Sequence, residues 1–269
     1  MAHPRHAEYF TPMNRIDGKL ALVTGASSGI GEACARRLAA EGADLALWAR
    51  REERLKRLAE ELAREHGVAV HVAGVDVRDR DAVRKAVDSL LEAAGPPDIL
   101  VNNAGLAAGF DPVQDGDFED WDRMIDTNVK GLLNVTRMLL PAMIAADRGH
   151  IINIGSTAGH QVYPRGNVYN ASKFAVTALT EAINLDVSGH DIRVSSVDPG
   201  FVETEFSVVR FHGDEERADR VYDGFQPLTG DDVADAVAYI ANLPAHANVL
   251  RMVLLPSAQR NVYVVDRDG

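Results

Sequence analysis

Residues 20–31 have the sequence LALVTGASSGIG, and this stretch decides the fold. Its first five residues form a short apolar run, which is typical of a buried β-strand. The glycine-rich turn that follows opens directly into an amphipathic helix, predicted for 32–41. Glycines let a chain turn tightly there, and backbone N–H groups at the start of a helix can bind a pyrophosphate. A glycine-rich turn alone is weak evidence, but its place between strand and helix predicts a dinucleotide-binding unit.

The rest of the chain repeats this alternation of strand and helix. The predicted strands are 20–24, 44–49, 69–74, 99–102, 150–154, 192–197 and 250–254, and the predicted helices are 32–41, 52–65, 79–94, 129–146, 168–188 and 232–242. Repeated β-α-β linkage means a parallel sheet with helices on both faces. The sequence therefore predicts an α/β fold, a Rossmann-type doubly wound sheet of seven strands. We expect an N-terminal extension over 1–18 and one domain over 19–269, because no linker or repeat interrupts the chain.

Composition narrows the class of protein. The chain is 46% hydrophobic and 25% charged, so it can bury a large core, and disordered or fibrous classes are excluded. Its formal charge of −12 disfavours nucleic acid and anionic membrane surfaces, although a small anionic ligand stays possible. Cys34 is the only cysteine, which excludes an intrachain disulfide and a cysteine-cluster metal site. We predict a cytoplasmic protein without a metal, a signal peptide or a membrane span.

The residues after the second strand predict which dinucleotide binds. In a doubly wound sheet, ligands bind beyond the carboxyl ends of the strands. Ala49 supplies no acid for a free ribose hydroxyl, whereas Arg50 is placed to bind a 2′-phosphate, with Arg51 and Ser27 as helpers. This favours NADP over NAD. The alternative is that Arg50 is a solvated arginine at the start of a helix.

Two further strand ends continue this edge. Asp76 and Val77 follow the third strand, and Asp76 could accept a hydrogen bond from an adenine amino group. After the fourth strand, Asn103 precedes Ala104 and Gly105, whose small side chains would let adenosine lie close. Each of these is an ordinary loop by itself, and it is their agreement that favours cofactor contacts.

A constellation of Ser156, Tyr169 and Lys173 carries the predicted chemistry. Tyr169 and Lys173 are one helical turn apart, so the ammonium can lie near the phenol. A neighbouring cation stabilises phenolate and moves the tyrosine pKa from about 10 towards the range of an acid/base catalyst, at about 1.4 kcal/mol per pKa unit. The Ser156 hydroxyl is suited to polarising a carbonyl.

Taken together, these motifs resemble the short-chain dehydrogenase/reductase family from Lys19 to Gln259. The matching segments are TGASSGIG at 24–31, NNAG at 102–105, TNVKG around Asn128, IGSTAG around Ser156, YNASK at 169–173 and PGFVET at 199–204. The resemblance implies that Ser156 holds the substrate oxygen, Tyr169 transfers its proton, and Lys173 binds the nicotinamide ribose and tunes the tyrosine. It also implies that Asn128 anchors a water in a proton relay and that Thr204 holds the nicotinamide carboxamide. The predicted cofactor contacts are Gly25, Ser27, Ser28, Gly29, Ile30, Gly31, Arg50, Arg51, Asp76, Val77, Asn103, Ala104, Gly105, Tyr169, Lys173, Pro199, Gly200, Val202 and Thr204.

Substrate choice depends on the variable segment 201–229. This segment resembles the branch of the family that oxidises 3-hydroxy acids such as serine and allo-threonine, or reduces the matching semialdehydes with NADPH. The chain also departs from the acyl-carrier-protein reductase pattern, which closes with a VDGG-like strand end. A carboxylated substrate calls for a cation when it is desolvated. Arg210 is the first candidate and Arg165 the second, although Arg165 could instead belong to the turn that starts a helix.

Two other functions are compatible with the same sequence features. A reductase of uncharged ketones or sugars would use the same catalytic residues with a different pocket. A non-catalytic NADPH-binding regulator would keep the glycine-rich turn and Arg50, but it has no need for the serine, tyrosine and lysine. The family resemblance also implies a homotetramer, and the helix from Tyr169 to Ala182 has apolar surface for pairing.

Overall fold

The computed structural model describes residues 14–268. Its centre is a sheet of seven parallel strands in the order β3-β2-β1-β4-β5-β6-β7. The strands are β1 (Leu20–Thr24), β2 (Asp44–Ala49), β3 (Val70–Gly74), β4 (Ile99–Asn102), β5 (Gly149–Ile154), β6 (Ile192–Pro199) and β7 (Arg251–Leu254). The predicted doubly wound fold is confirmed. Residues 1–13 of the expected N-terminal extension lie outside the described residues, and the domain boundary at residue 19 stays a prediction.

Helices cover both faces of this sheet. They are α1 (Gly29–Ala40), α2 (Glu52–His66), α3 (Arg80–Ala94), α4 (Phe118–Ile125), α5 (Leu132–Ala145), α6 (Asn167–Asp186), α7 (Glu205–Arg210), α8 (Glu215–Asp219) and α9 (Gly230–Ala241). A π-helical turn, Asp126–Gly131, joins α4 to α5. Helix α4 was not predicted, although Asp117 caps its first turn by accepting from the N–H groups of Glu119 and Asp120.

The core consists of two layers because neighbouring residues of a strand point to opposite faces. On β1, Val23 packs in the layer that includes α1, α2 and α9, whereas Leu22 packs in the layer that includes α3, α5 and α6. Both side chains are fully buried. The strands are parallel and packed between these two layers, so the carboxyl ends of all seven strands lie along one edge of the sheet. Within residues 14–268, no helix is long and apolar enough to cross a membrane.

Candidate active site

A cleft of about 820 Å³ lies along the carboxyl edge of the sheet. Nearly all of the predicted site residues line it, from the glycine-rich turn to Arg210 and Arg165. The two that do not are Gly31 and Asn128, which lie behind the cleft wall. The fold thus brings the predicted cofactor, catalytic and substrate residues to one cavity.

The glycine-rich turn is shaped by close backbone approach. Gly25 adopts a left-handed φ of 68°, and a Cβ on Gly31 would lie only 2.4 Å from the Gly25 carbonyl oxygen. Asn103 holds this turn from β4, since its Nδ2 donates to the Thr24 carbonyl at 2.9 Å. The turn consequently forms a narrow cradle at the start of α1, where backbone N–H groups can bind a pyrophosphate.

The two arginines after β2 have different surroundings. Arg50 is exposed on the cleft wall, and the described part of the chain gives its side chain no hydrogen-bonding partner. Arg51 instead donates to the hydroxyls of Ser27 at 3.1 Å and Ser28 at 2.5 Å, and to the Glu205 carboxylate at 2.8 Å. Arg50 therefore has the free guanidinium of the pair.

Glu205 also lines the cleft, although it was not among the predicted site residues. It begins α7 and forms ion pairs of 2.8 Å with both Arg51 and Arg54. The hydrogen bond from Arg54, and after it that from Arg51, lowers the pKa of Glu205 to about 2. A carboxylate of the segment 201–229 is thus held beside the predicted phosphate site.

Asp76 has an unpredicted partner in Arg78. Arg78 donates to both carboxylate oxygens, at 2.6 Å from Nη2 and 2.9 Å from Nε, and this pairing lowers the pKa of Asp76. Both residues line the cleft. The predicted contact of Asp76 with adenine stays a prediction.

The predicted catalytic residues lie together, as their spacing predicted. Tyr169 and Lys173 are buried on one face of α6, with the ammonium 5.9 Å from the phenol ring centre. Lys173 donates to the Ile154 carbonyl oxygen at 3.0 Å, and burial lowers its pKa to about 8. Burial, and after it the neighbouring Tyr163, raises the pKa of Tyr169, whereas Ser156 and the charge of Arg210 lower it. The site therefore contains a shielded phenol whose proton affinity depends on its neighbours.

Asn128 lies in the π-helical turn, with its side chain buried. Its Nδ2 donates to the Leu106 carbonyl oxygen at 2.8 Å and to the Ser172 hydroxyl at 3.0 Å, and its Oδ1 accepts from the Leu106 N–H at 2.8 Å. The side chain thus ties the loop after β4 to α6. The predicted water-anchoring role stays a prediction. Both hydrogens of the side-chain amide are already donated, so Asn128 would have to bind the water through a different group.

Arg210 is enclosed by aromatic rings. Its guanidinium carbon lies 5.0 Å from the ring centre of Phe110 and 5.4 Å from those of Tyr163 and Tyr169. The Tyr163 hydroxyl accepts from its Nη2, and within residues 14–268 its buried Nε has no partner. Arg165, by contrast, is exposed in the turn before α6, at a left-handed φ of 64°. Of the two candidates, Arg210 is the one beside Tyr169, the predicted acid/base residue.

No group of three or more histidine, cysteine, aspartate or glutamate side chains within residues 14–268 is placed to hold a metal ion.

The sequence profile of the short-chain dehydrogenase family matches residues 19–214. This chain belongs to the short-chain dehydrogenase family. The resemblance predicted from its motifs is confirmed.

Its relatives share nearly the whole chain. Sulfoacetaldehyde reductase 2 of Chromohalobacter salexigens is 48% identical over 251 residues, which cover 93% of this chain and 99% of the relative. NADP-dependent 3-hydroxy acid dehydrogenase of Escherichia coli strain K12 is 44% identical over 241 residues, covering 89% of this chain and 96% of the relative. A solved structure, the closed form of serine dehydrogenase complexed with NADP⁺, superposes with a TM-score of 0.86 at 42% identity and covers 93% of this chain and 100% of that one.

Several residues of this short-chain dehydrogenase line the cleft without having been predicted. Phe206 packs edge-on against Tyr169 with ring centres 5.6 Å apart, and Val262 and Arg267 come from the C-terminal tail. The predicted motifs end before this tail. The segment 201–229 was expected to decide substrate choice, but no pattern in it indicates which of its side chains point into the cleft.

Proposed function

We propose that this short-chain dehydrogenase transfers a hydride between NADP(H) and a short alcohol or aldehyde that carries an anionic group. The anion is a carboxylate, as in a 3-hydroxy acid or its semialdehyde, or a sulfonate of similar size. One observation carries the proposal: Arg210 presents a guanidinium within the cleft at 5.4 Å from the Tyr169 ring. The relatives named above, which act on a 3-hydroxy acid and on sulfoacetaldehyde by name, support the same class of substrate.

The cleft fits the proposed cofactor. Gly25 and Gly29 of the glycine-rich turn line the cleft where α1 begins, so the backbone N–H groups there suit a closely approached pyrophosphate, and Gly31 lets the turn close behind them because a Cβ would lie 2.4 Å from the Gly25 carbonyl oxygen. Arg50 offers a free guanidinium at the end of β2 for a 2′-phosphate. Lys173 holds an ammonium near the catalytic tyrosine, suited to a ribose hydroxyl. When bound, the nicotinamide accepts or donates the hydride.

The protein side of the reaction is a proton transfer. In reduction, Ser156 donates a hydrogen bond to the carbonyl oxygen, and the Tyr169 hydroxyl gives its proton to that oxygen as the hydride reaches carbon. In oxidation, the same hydroxyl, deprotonated, takes the proton of the substrate alcohol. A guanidinium that holds the anionic end fixes the distance between the reacting carbon and Tyr169. A non-catalytic regulator has no use for this arrangement of serine, tyrosine and lysine.

Substrate charge provides the test. With NADP⁺, we expect the wild-type protein to oxidise a short 3-hydroxy acid at least about tenfold better in kcat/KM than its uncharged amide, because a desolvated arginine without its anion is costly. With NADPH, sulfoacetaldehyde and an uncharged aldehyde form the matched pair. A ratio near one in both pairs would contradict the proposal and favour a reductase of uncharged ketones or sugars.

The residue that binds the anion is tested with two substitutions. Arg210→Met should reduce kcat/KM for the acid sharply while changing that for the amide far less, whereas Arg165→Met should leave the acid-to-amide ratio nearly unchanged. The reverse pattern would transfer the anion-binding role to Arg165.

The proposal includes a homotetramer and a cytoplasmic location. Exposed apolar side chains on α4 and α6, among them Phe118 at 75% and Leu185 at 73% exposure, support burial against another copy. Buried Cys34, the only thiol of the chain, is compatible with a reducing compartment. Light scattering checks the assembly: four copies per particle are expected, and a Leu185→Glu variant should reduce that number. A monodisperse monomer would contradict the homotetramer.

A further inference from the structure

The groups around Tyr169 include two cations on different elements. Lys173 belongs to the same helix, Ser156 follows β5, Tyr163 lies in the turn before α6, and Arg210 comes from the end of α7. Behind Lys173, on β6, lies the carboxyl of Asp198, which also meets His160 at 2.6 Å. Within residues 14–268, these are the titratable and charged groups that face the phenol or its lysine. Because the phenol is buried, each charge acts on it with little screening by water.

The two cations differ in how firmly they keep their charge. Burial lowers the pKa of Lys173 to about 8, so its ammonium loses its proton within the alkaline range in which a phenol titrates. A guanidinium stays protonated at every working pH. Arg210 is consequently the permanent positive charge beside Tyr169, and its charge lowers the pKa of that tyrosine in opposition to burial.

Arg210 is held in place by contacts that do not require a substrate. Its side chain lies against the rings of Phe110 and Tyr163, and the Tyr163 hydroxyl accepts from it. Its carbonyl oxygen accepts from the Gly109 N–H at 3.0 Å, which joins α7 to the loop after β4. The guanidinium therefore reaches Tyr169 only when α7 is packed over the cleft.

We infer that Arg210 is an electrostatic positioning residue for Tyr169, whose phenolate it stabilises when α7 covers the cleft. This role is separate from the binding of a substrate anion. One consequence rests on the proposed function: an anion bound at Arg210 offsets part of its charge and so favours the protonated phenol, the form that gives a proton during reduction. The charge of the substrate would then set the acid/base state of the catalyst.

The test is the pH dependence of oxidation of an uncharged alcohol, such as 1,3-butanediol, with NADP⁺. Oxidation needs the deprotonated phenol, so kcat/KM rises with pH to a plateau, and Arg210→Met should move the midpoint of this rise upwards by about one pH unit. Arg210→Lys, which retains a cation, should move it less. Arg220→Met is the matched control, because Arg220 lies on the same segment but pairs with Glu216 outside the cleft; it should leave the midpoint unchanged.

A second measurement does not depend on turnover. The ionisation of tyrosine to tyrosinate is followed by ultraviolet absorbance in the NADP⁺ complex. Each protein is titrated beside the same protein carrying Tyr169→Phe, and the difference between the two curves reports Tyr169 alone. The Tyr169 midpoint should be higher in the Arg210→Met background than in the wild type. The inference would be overturned if, in both measurements, the midpoint of Arg210→Met moves no further from the wild-type value than the midpoint of Arg220→Met does.

The outcomes also separate this inference from the proposed function. A lost preference for anionic substrates with an unmoved midpoint would leave Arg210 as an anion-binding residue only. A moved midpoint with an unchanged acid-to-amide ratio would keep the positioning role and contradict the assignment of the substrate anion.

Discussion

The carboxyl edge of the sheet and the segment 201–229 form opposite walls of one cleft, but they hold their side chains by different means. At the sheet edge, Asn103 and Lys173 are bound to backbone carbonyl oxygens of β1 and β5. In the opposite wall, side chains of other elements hold the functional groups. Tyr163 holds the guanidinium of Arg210, and Arg51 and Arg54 hold the carboxylate of Glu205. A position fixed by the backbone follows from the fold itself, whereas one fixed by side chains depends on how α7 packs.

The largest expected effect lies at the sheet edge. Tyr169→Phe removes the hydroxyl that we propose transfers the proton but leaves the ring packed on α6, so kcat should fall by about 10³-fold or more while NADPH affinity stays within about twofold. Steady-state kinetics and a fluorescence titration with NADPH measure the two quantities. Retention of a tenth of the wild-type rate would show that another group transfers the proton.

This difference between the walls also explains how far the sequence predicted the molecule. The strands were found to within about two residues because apolar runs and β-branched residues report burial directly. Ser156, Tyr169 and Lys173 were found because their spacing fixes their geometry on one strand end and one helix. The enclosure of Arg210 by Phe110 and Tyr163 could not be predicted, because it joins three segments distant in sequence whose packing no local pattern encodes.

The next effect concerns the two arginines after β2. Arg50→Ala should weaken NADP⁺ by about 1.5–3 kcal/mol, as expected for a lost hydrogen bond to a charged group, and change NAD⁺ little. Arg51→Ala is the matched control, because Arg51 already has three partners, and its effect on NADP⁺ should be smaller. Isothermal titration with both dinucleotides decides the point, and a larger loss in Arg51→Ala would reassign the phosphate contact to Arg51.

A smaller expected effect concerns the free energy of unfolding, which the burial of Lys173 at the sheet edge should lower. Burial lowers the pKa of Lys173 to about 8 from its ordinary 10.5, so between these pH values the unfolded chain binds more protons than the native one. The free energy of unfolding should therefore rise with pH across this window, and Lys173→Met should lack that rise.

At pH 7, Lys173→Met should stabilise the protein without ligands by about 1 kcal/mol, because the gain from removing a buried cation is partly offset by the Ile154 carbonyl left without its donor. Its turnover and NADP⁺ affinity should both fall. Urea denaturation at pH 7 and pH 10 measures the stability, and a variant less stable than the wild type at pH 7 would show that the ammonium is stabilised in the fold.

The smallest effect tests the side-chain contacts of the opposite wall. Glu205 joins α7 to Arg51 and Arg54, but these groups are nearly half exposed, with side-chain exposures of 47%, 44% and 43%, so solvent screening limits each pair to about 0.5 kcal/mol. In Glu205→Gln, a negative charge beside the 2′-phosphate site disappears and Arg51 gains freedom to reach the phosphate. NADP⁺ should bind about twofold tighter, because a neighbouring carboxylate no longer repels it, while NAD⁺ affinity stays the same.

The same substitution weakens the attachment of α7, so KM for the anionic substrate should rise about twofold as Arg210 spends less time beside Tyr169. Both changes should be smaller at high salt. The distance over which exposed charges interact is about 8 Å at physiological ionic strength, and it becomes shorter as salt is added. Glu203→Gln is the control, because Glu203 is an exposed carboxylate on the same segment that does not line the cleft. Weaker NADP⁺ binding in Glu205→Gln would mean that the carboxylate stabilises the phosphate site through its hold on Arg51. The two walls would then be coupled in cofactor binding as well as in catalysis.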